Sequence, residues 1–161
     1  MVFKNPKVIF LREGVEVLAR LRIKVRLDYM SHGKTGKFGF GGKHVEQAAD
    51  EIRQQKVTML RNVPLQAIHI EDIDMSQEIY TVFDDIKNKP VAYAPVMITF
   101  LSDSIEETLK FFMQEEFRTV EILEPEEFTL KKVEMEKLFF KIGEELKNYK
   151  EYLEKKNENW K

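Results

Sequence analysis

The chain contains no cysteine among its 161 residues. Disulfide bonds, thiolate metal sites and a cysteine nucleophile are therefore excluded. It also lacks a run of the ~18 apolar residues that a membrane-spanning helix needs. Residues 1–7 lack the apolar segment of a secretory signal peptide. These absences lead us to expect a cytoplasmic protein that makes no contact with a membrane.

Glycine and proline are scarce, with seven and five residues in the chain. No internal repeat and no low-complexity linker divides the sequence, and its length suits one domain with a buried core. We predict a single α/β domain over residues 1–128. A long C-terminal helix over residues 129–161 is expected to pack on this domain or to project toward a partner.

Charge is unevenly distributed, although the net charge is only -2. Residues 1–70 hold 13 Lys and Arg against 6 Asp and Glu, whereas residues 71–161 hold 13 against 22. A basic half of this kind can attract an anionic partner. It can equally be attracted by the acidic half within one fold, and the sequence leaves both interpretations open.

A strict alternation of apolar and charged residues runs from residue 20 to residue 29. This period of two is typical of a half-buried strand in an antiparallel sheet with one wet face. Residues 7–11 and 14–18 are candidates for a neighbouring strand. The charged side of the alternation forms a basic row: Arg20, Arg22, Lys24 and Arg26.

Apolar spacing beyond this strand predicts alternating helices and strands. Helices are expected over residues 44–55 and 76–87, and a third helix is capped by Ser104. The expected strands cover residues 56–60, 65–70, 91–101 and 117–123. Alternation with short joints predicts a βαβαβ portion with parallel crossovers, so the fold class is α/β or α+β.

The last element is a long helix from about Thr129 to the mid-150s. Its length of 25 or more residues corresponds to roughly 40 Å, which exceeds the width of a domain of this size. The sequence therefore favours both a helix across the sheet and a helix that pairs with another subunit. The apolar stripe of this helix consists of Met135, Leu138, Ile142, Leu146, Tyr149 and Leu153.

Five of the seven glycines fall between residues 33 and 42, where lysine and phenylalanine alternate with them. Lysines can contact phosphates, and phenylalanine rings can stack on unpaired bases. The loop could instead pack at a subunit interface or remain a solvated hairpin tip. Two features argue against a phosphate-binding P-loop ending at Thr35: Asp28 occupies the position of its first glycine, and the residues after Thr35 do not favour a helix. The candidate polyanion-binding residues are Arg20, Arg22, Lys24, Arg26, Lys34, Lys37, Phe38, Phe40 and Lys43.

A second cluster is acidic and follows the apolar residues 65–70. Asp72 and Asp74 offer oxygen ligands that suit Mg²⁺ or Mn²⁺. The Asp72-x-Asp74 spacing after a strand also resembles the nucleophile motif of haloacid-dehalogenase-type phosphatases, with Ser102 in the position of the second motif. The alternative is that these carboxylates only cap the helix predicted from residue 76.

We expect from these patterns a non-enzymatic binding or assembly protein without a cofactor. Its basic strand and glycine–lysine–phenylalanine loop are expected to contact a polyanion, most plausibly nucleic acid. A self-associating structural or regulatory protein is the first alternative, with the loop and the terminal helix as subunit contacts in a homo-oligomer. A Mg²⁺-dependent phosphate enzyme that uses Asp72 and Asp74 is the second alternative, and no metal site is expected otherwise.

Overall fold

The computed structural model describes residues 20–32 and 41–158. Five strands and three helices form along these residues. In chain order they are β1 (Leu21–Ser31), α1 (Gly41–Asn62), β2 (Ile68–Asp74), β3 (Tyr80–Asp84), β4 (Lys89–Ser102), α2 (Ile105–Phe112), β5 (Phe117–Glu124) and α3 (Lys132–Glu158). The mixed α/β class and the long C-terminal helix are confirmed. The strands predicted at 7–11 and 14–18 lie outside the described residues.

The strands form one sheet in the order β2-β4-β1-β5, and β3 pairs with the first residues of β4. Every pairing among the described strands is antiparallel. The prediction of a parallel crossover from residues 65–70 to residues 91–101 is therefore wrong, because β2 and β4 pair directly and antiparallel. Helix α1 does connect two strands of the same direction, but β4 lies between them, and β1 likewise separates β4 from β5. This is the split βαβ, or ferredoxin-like, connectivity.

The core lies between the sheet and helices α1 and α2. The alternate residues of β1 predicted to be apolar are buried there, and β4 contributes Val96, Ile98 and Phe100. The rings of Phe100 and Phe111 stack with centroids 4.5 Å apart, which fixes α2 on the sheet. The alternation seen in the sequence of β1 is confirmed, because one face of the strand is core and the other face carries charge.

Helix α1 runs through residues 56–60, where a strand was predicted. Its buried positions recur every four residues, at Val45, Ala49, Arg53 and Val57. The arginine at one of these positions hides the helical period from a search for apolar residues. Arg53 is accommodated because its Nη1 atom donates to the backbone carbonyls of Met75, Gln77 and Pro95 at 3.0 to 3.3 Å.

Residues 80–84 form strand β3 rather than the helix predicted over residues 76–87. The carboxylate of Asp84 accepts hydrogen bonds from the backbone N–H groups of Ile86 and Lys87, and Asn88 has a φ of 51°. These are turn-forming contacts, and they return the chain into β4 as a hairpin. The apolar residues that matched a helical period, Val82, Phe83 and Ile86, are exposed.

The later elements follow their predictions closely. Strands β4 and β5 contain the predicted residues 91–101 and 117–123. Ser104 has extended φ and ψ angles, and its side chain accepts a hydrogen bond from the N–H group of Glu107, so it caps α2 as predicted. Helix α3 has 27 residues and lies against α2. Among the described residues, no helix is long and apolar enough to cross a membrane.

Candidate functional site

The predicted polyanion-binding residues fall into two groups. Lys34, Lys37, Phe38 and Phe40 lie outside the described residues, so their part of the prediction stays a prediction. Lys43 lies in the first turn of α1, which begins at Gly41. The four basic residues at positions 20–26 lie on or just before β1, and their partners are described.

Carboxylates from the acidic half of the chain engage the basic row of β1. Arg20 Nε lies 2.6 Å from an oxygen of Asp103, and Arg22 Nε lies 2.7 Å from one of Glu71. The hydrogen bond to Glu71 raises the pKa of Arg22 further above its usual value. With Arg26, which pairs with Asp28, three of the four cations predicted to meet an external anion therefore have internal partners that an external anion would have to displace.

Lys24 also lies near carboxylates. It faces Glu121 across the pairing of β1 with β5. The pKa of Asp74 is lowered mainly by its hydrogen bonds with Ser76, and the positive charge of Lys24 adds to this effect. Charge on β1 is thus balanced by acidic residues of β2 and β5, which weakens its field toward a polyanion.

Asp28 is the buried centre of the most connected polar cluster on this face. Its carboxylate is only 1% exposed, and Arg26 donates to it from Nε at 2.8 Å and from Nη2 at 3.2 Å. The Tyr80 hydroxyl donates to it at 2.6 Å, and Arg118 Nε lies 3.5 Å away. Burial and this hydrogen bond raise the pKa of Tyr80. The alternation pattern gave no signal for this cluster, because its partners come from β3 and β5.

The surroundings of Asp28 indicate a structural role. The rings of Tyr80 and Tyr93 stack at 5.2 Å, and the Arg118 guanidinium lies 5.5 Å above the Tyr93 ring. The carboxylate is fully paired, and pairs of this kind tie β1, β3 and β5 together. From the sequence, Asp28 is notable only because it occupies the position of the first glycine of a P-loop.

Asp72 and Asp74 lie in the last three residues of β2, but no helix follows them. Asp74 is paired with Met97 of β4, whereas Ser102 is paired with Ile68 at the other end of β2. Five residues of β4 separate the two positions, which is roughly 17 Å along a strand. The structure therefore does not bring Ser102 to the acidic pair, and the suggestion that the acids cap a helix is wrong.

The three histidines are not brought together either. His32 Nε2 lies 3.3 Å from Lys87 Nζ, while His69 lies 3.7 Å from Asp103 and His44 is exposed on α1. Burial, and then the nearby charges of Lys87 and Lys89, lower the pKa of His32. Within the described ranges no group of three His, Asp or Glu residues is placed to hold a metal ion.

The most unusual surface of the described residues is the outward face of α3. Six apolar residues recur along it at intervals of four, three, four, three and four. Phe139 is 64% exposed, and Leu146 is 58% exposed. Leu138, which was predicted to belong to the apolar stripe, is half-buried on the side toward α2. We call the following set the α3 row: Met135, Phe139, Ile142, Leu146, Tyr149 and Leu153.

A cleft of about 540 Å³ lies between α3 and residues 112–116 that follow α2, and Leu146 and Tyr149 of the α3 row line it. Three glutamates and two tyrosines line it, and none of the described residues that line it is Lys or Arg. Lys141 lies one turn away and pairs with Glu145 at 3.1 Å. The carboxylates and tyrosines of the cleft are Glu115, Glu116, Glu145, Tyr149 and Tyr152.

Connectivity of this kind hosts many unrelated activities, so it assigns no function by itself. The chain matches no protein family, no curated protein and no solved structure. Function therefore has to be inferred from the residues and surfaces described above.

Proposed function

We propose that this is a non-enzymatic assembly protein that self-associates through the α3 row. The observation that carries this proposal is the exposure of that row along a 27-residue helix. Monomeric soluble proteins seldom expose a continuous apolar surface of such length. A partner that covers it removes large apolar side chains from water. Full burial of an exposed side chain contributes about 1.5–3 kcal/mol, and these partly exposed side chains each contribute a fraction of that.

The spacing of the row favours a helical partner. Apolar residues at alternating intervals of three and four form the seam of a coiled coil, in which each side chain enters a gap on the facing helix. Helix α2 cannot fill this role, since its eight residues span only about 12 Å. It covers the neighbouring side of α3 and leaves the row open.

The proposal is tested by a matched pair of variants, Leu146→Asp and Met59→Asp. Both wild-type side chains are 58% exposed and both lie on helices, but Met59 belongs to α1 and lies outside the row. We expect sedimentation equilibrium to show a concentration-dependent dimer for the wild type and for Met59→Asp. Leu146→Asp should remain monomeric, and a wild-type protein that is monomeric at every concentration contradicts the proposal.

A second function, polyanion binding, is favoured by the basic end of the sheet. His32 and Lys87 are close together where β1 ends, and Lys89 and Asp84 are near enough to influence the pKa of His32. We propose that this end, and not the paired basic row of β1, supplies the contacts to nucleic acid. Lysines of the loop, Lys34 and Lys37, would extend the same surface.

Fluorescence anisotropy with a labelled single-stranded oligonucleotide tests this second function. Each phosphate contact that is lost should make the binding constant less dependent on salt. We expect weaker binding and a smaller salt dependence for Lys87→Gln. Lys56→Gln, which removes an exposed lysine from α1, is the control and should leave both unchanged. Equal effects of the two variants contradict a site at the basic end.

A further inference from the structure

We infer that two copies of the chain pack their α3 helices in parallel, with Glu145 of each copy facing Lys150 of the partner subunit. This inference rests on the proposed self-association and adds its direction and its specificity-determining pair. It follows from the side of α3 that α2 covers and from the charges beside the row.

Positions beside a coiled-coil seam are conventionally labelled e and g. The α3 row supplies the a positions (Phe139, Leu146 and Leu153) and the d positions (Met135, Ile142 and Tyr149). The g positions are then Leu138, Glu145 and Tyr152, and the e positions are Glu136, Gly143 and Lys150. In a parallel pair the g edge of one helix faces the e edge of the other, whereas in an antiparallel pair g faces g.

The sheet and its helices lie on the g edge of α3. Leu138 and Glu145 are less exposed than their neighbours, and Glu107 of α2 is close enough to influence Lys141. The cleft places residues 112–116 beside Glu145 and Tyr152. Two g edges that face each other would therefore bring two whole bodies to one side of the coil.

The position of the two bodies argues against an antiparallel pair. Pairing all six residues of the row in opposite directions sets Met135 against Leu153 and places the two-fold axis near residue 144. The two α2 helices then lie on the same side, within roughly 12 Å of each other along the coil. A parallel pair instead places the two bodies on opposite sides of the coil, where they do not meet.

Charge complementarity supports the parallel direction. A g residue faces the e residue five positions later on the partner, which sets Glu145 opposite Lys150 of the partner subunit twice in the dimer. Within one chain Glu145 also pairs with Lys141 at 3.1 Å and Lys150 with Glu154 at 3.8 Å, so the pair between subunits competes with these exposed pairs. Glu145 opens into the cleft, where Glu115 and Glu116 add negative charge. The antiparallel pairing would also set an acid, Glu136, opposite Lys150 of the partner subunit, but it would bring the two copies of Glu145 together near the axis.

The absence of cysteine permits a direct test of the direction. Lys132 and Lys156 continue the a and d positions of the row at its two ends. In a parallel dimer, Lys132→Cys and Lys156→Cys should each form a disulfide with its own copy, because matching positions of the two helices lie close together. In an antiparallel dimer, matching positions are roughly 36 Å apart, and only a mixture of the two variants should cross-link.

Sedimentation of both variants in the reduced state distinguishes a wrong helix direction from a lack of self-association. Dimers that cross-link within each single variant support the parallel arrangement. Dimers that cross-link only in the mixture overturn it while leaving self-association intact. Monomers at every concentration overturn both the arrangement and the proposed function.

The ionic pair is tested by reversing charge. Lys150→Glu should weaken the dimer roughly three- to tenfold, since two exposed pairs of modest strength are lost. Lys147→Glu makes the same change in net charge at an exposed b position and should have little effect. Combining Glu145→Lys with Lys150→Glu should restore association, and equal effects of the two lysine variants contradict the assigned pair.

Discussion

The sheet body, formed by β1–β5 with α1 and α2, and helix α3 use the same residue types in opposite ways. Phe100 near the end of β4 is fully buried, whereas Phe139 on α3 is 64% exposed. The core residues of the body are covered by other elements of the same chain, although Val82, Phe83 and Ile86 beside the β3–β4 turn are exposed. Those of α3 have α2 on one side only, which is why we propose that the body carries stability and that α3 carries the surface for assembly.

The largest effect should come from truncating matched phenylalanines in the two regions. Phe100→Ala removes a buried ring and should lower the free energy of unfolding by about 3–5 kcal/mol. Phe139→Ala should change monomer stability by less than about 0.5 kcal/mol, as exposed substitutions usually do, yet abolish the dimer. Urea unfolding at low protein concentration measures the first effect, and sedimentation measures the second. Similar losses of stability in both variants would remove the distinction between the regions.

The next largest effect on stability should come from the polar cluster around Asp28. Asp28→Asn removes a buried charge from Arg26 and Arg118, and we expect a loss of about 2–3 kcal/mol because both arginines can still reach water. Tyr80→Phe removes one hydrogen bond to the carboxylate and should cost about 1.5 kcal/mol. Neither substitution should alter dimerisation, so a change in sedimentation would show that the two regions are coupled.

Replacing a glycine in α3 should raise the stability of the protein, whereas the substitutions in the body lower it. A Cβ atom added to Gly143 would meet nothing within 4 Å, and glycine is unfavourable inside a helix. Gly143→Ala should therefore stabilise the protein by roughly 0.5–1 kcal/mol. Thermal unfolding measures this gain. A loss of stability would mean that α3 is packed more closely than the structure shows.

The smallest effect is a dependence on pH near His32. Its pKa in the folded protein lies below the usual value of 6.5. As the pH falls through 6.5, the unfolded chain therefore binds more protons at this residue than the folded protein does. Stability should decrease as pH is lowered through this window and should level off below the pKa of the folded state. Urea unfolding of His32→Gln across the same range should show a shallower decrease, and identical slopes would contradict the assignment.

Local patterns predicted those elements whose burial is regular. The alternation in β1, the Ser104 cap and the long period of α3 each correspond to one clear feature of the structure. Arg53 broke the apolar pattern of α1, because a buried arginine can be satisfied by backbone carbonyls that only the tertiary fold supplies. The apolar spacing of residues 79–86 fits a helix as well as it fits a strand. The segment is a strand because the turn at Asn88 pairs it with β4 in a hairpin.

Strand order and charge pairing could not be derived from local patterns. The insertion of β4 between β1 and β2 made the sheet antiparallel, although the order of helices and strands matched a parallel one. The same topology brought Glu71 and Asp103 to Arg22 and Arg20 from distant parts of the sequence. In α3 the helical period could not distinguish Leu138 from Phe139 until the position of α2 was known.

The most direct test of the account is the mass of the unmodified chain, measured by sedimentation velocity across a concentration series. We predict that the mass rises with concentration from 19.1 kDa toward twice that value as the α3 helices pair. A mass that stays at 19.1 kDa at the highest concentration would contradict the claim that the exposed row of α3 is an assembly surface.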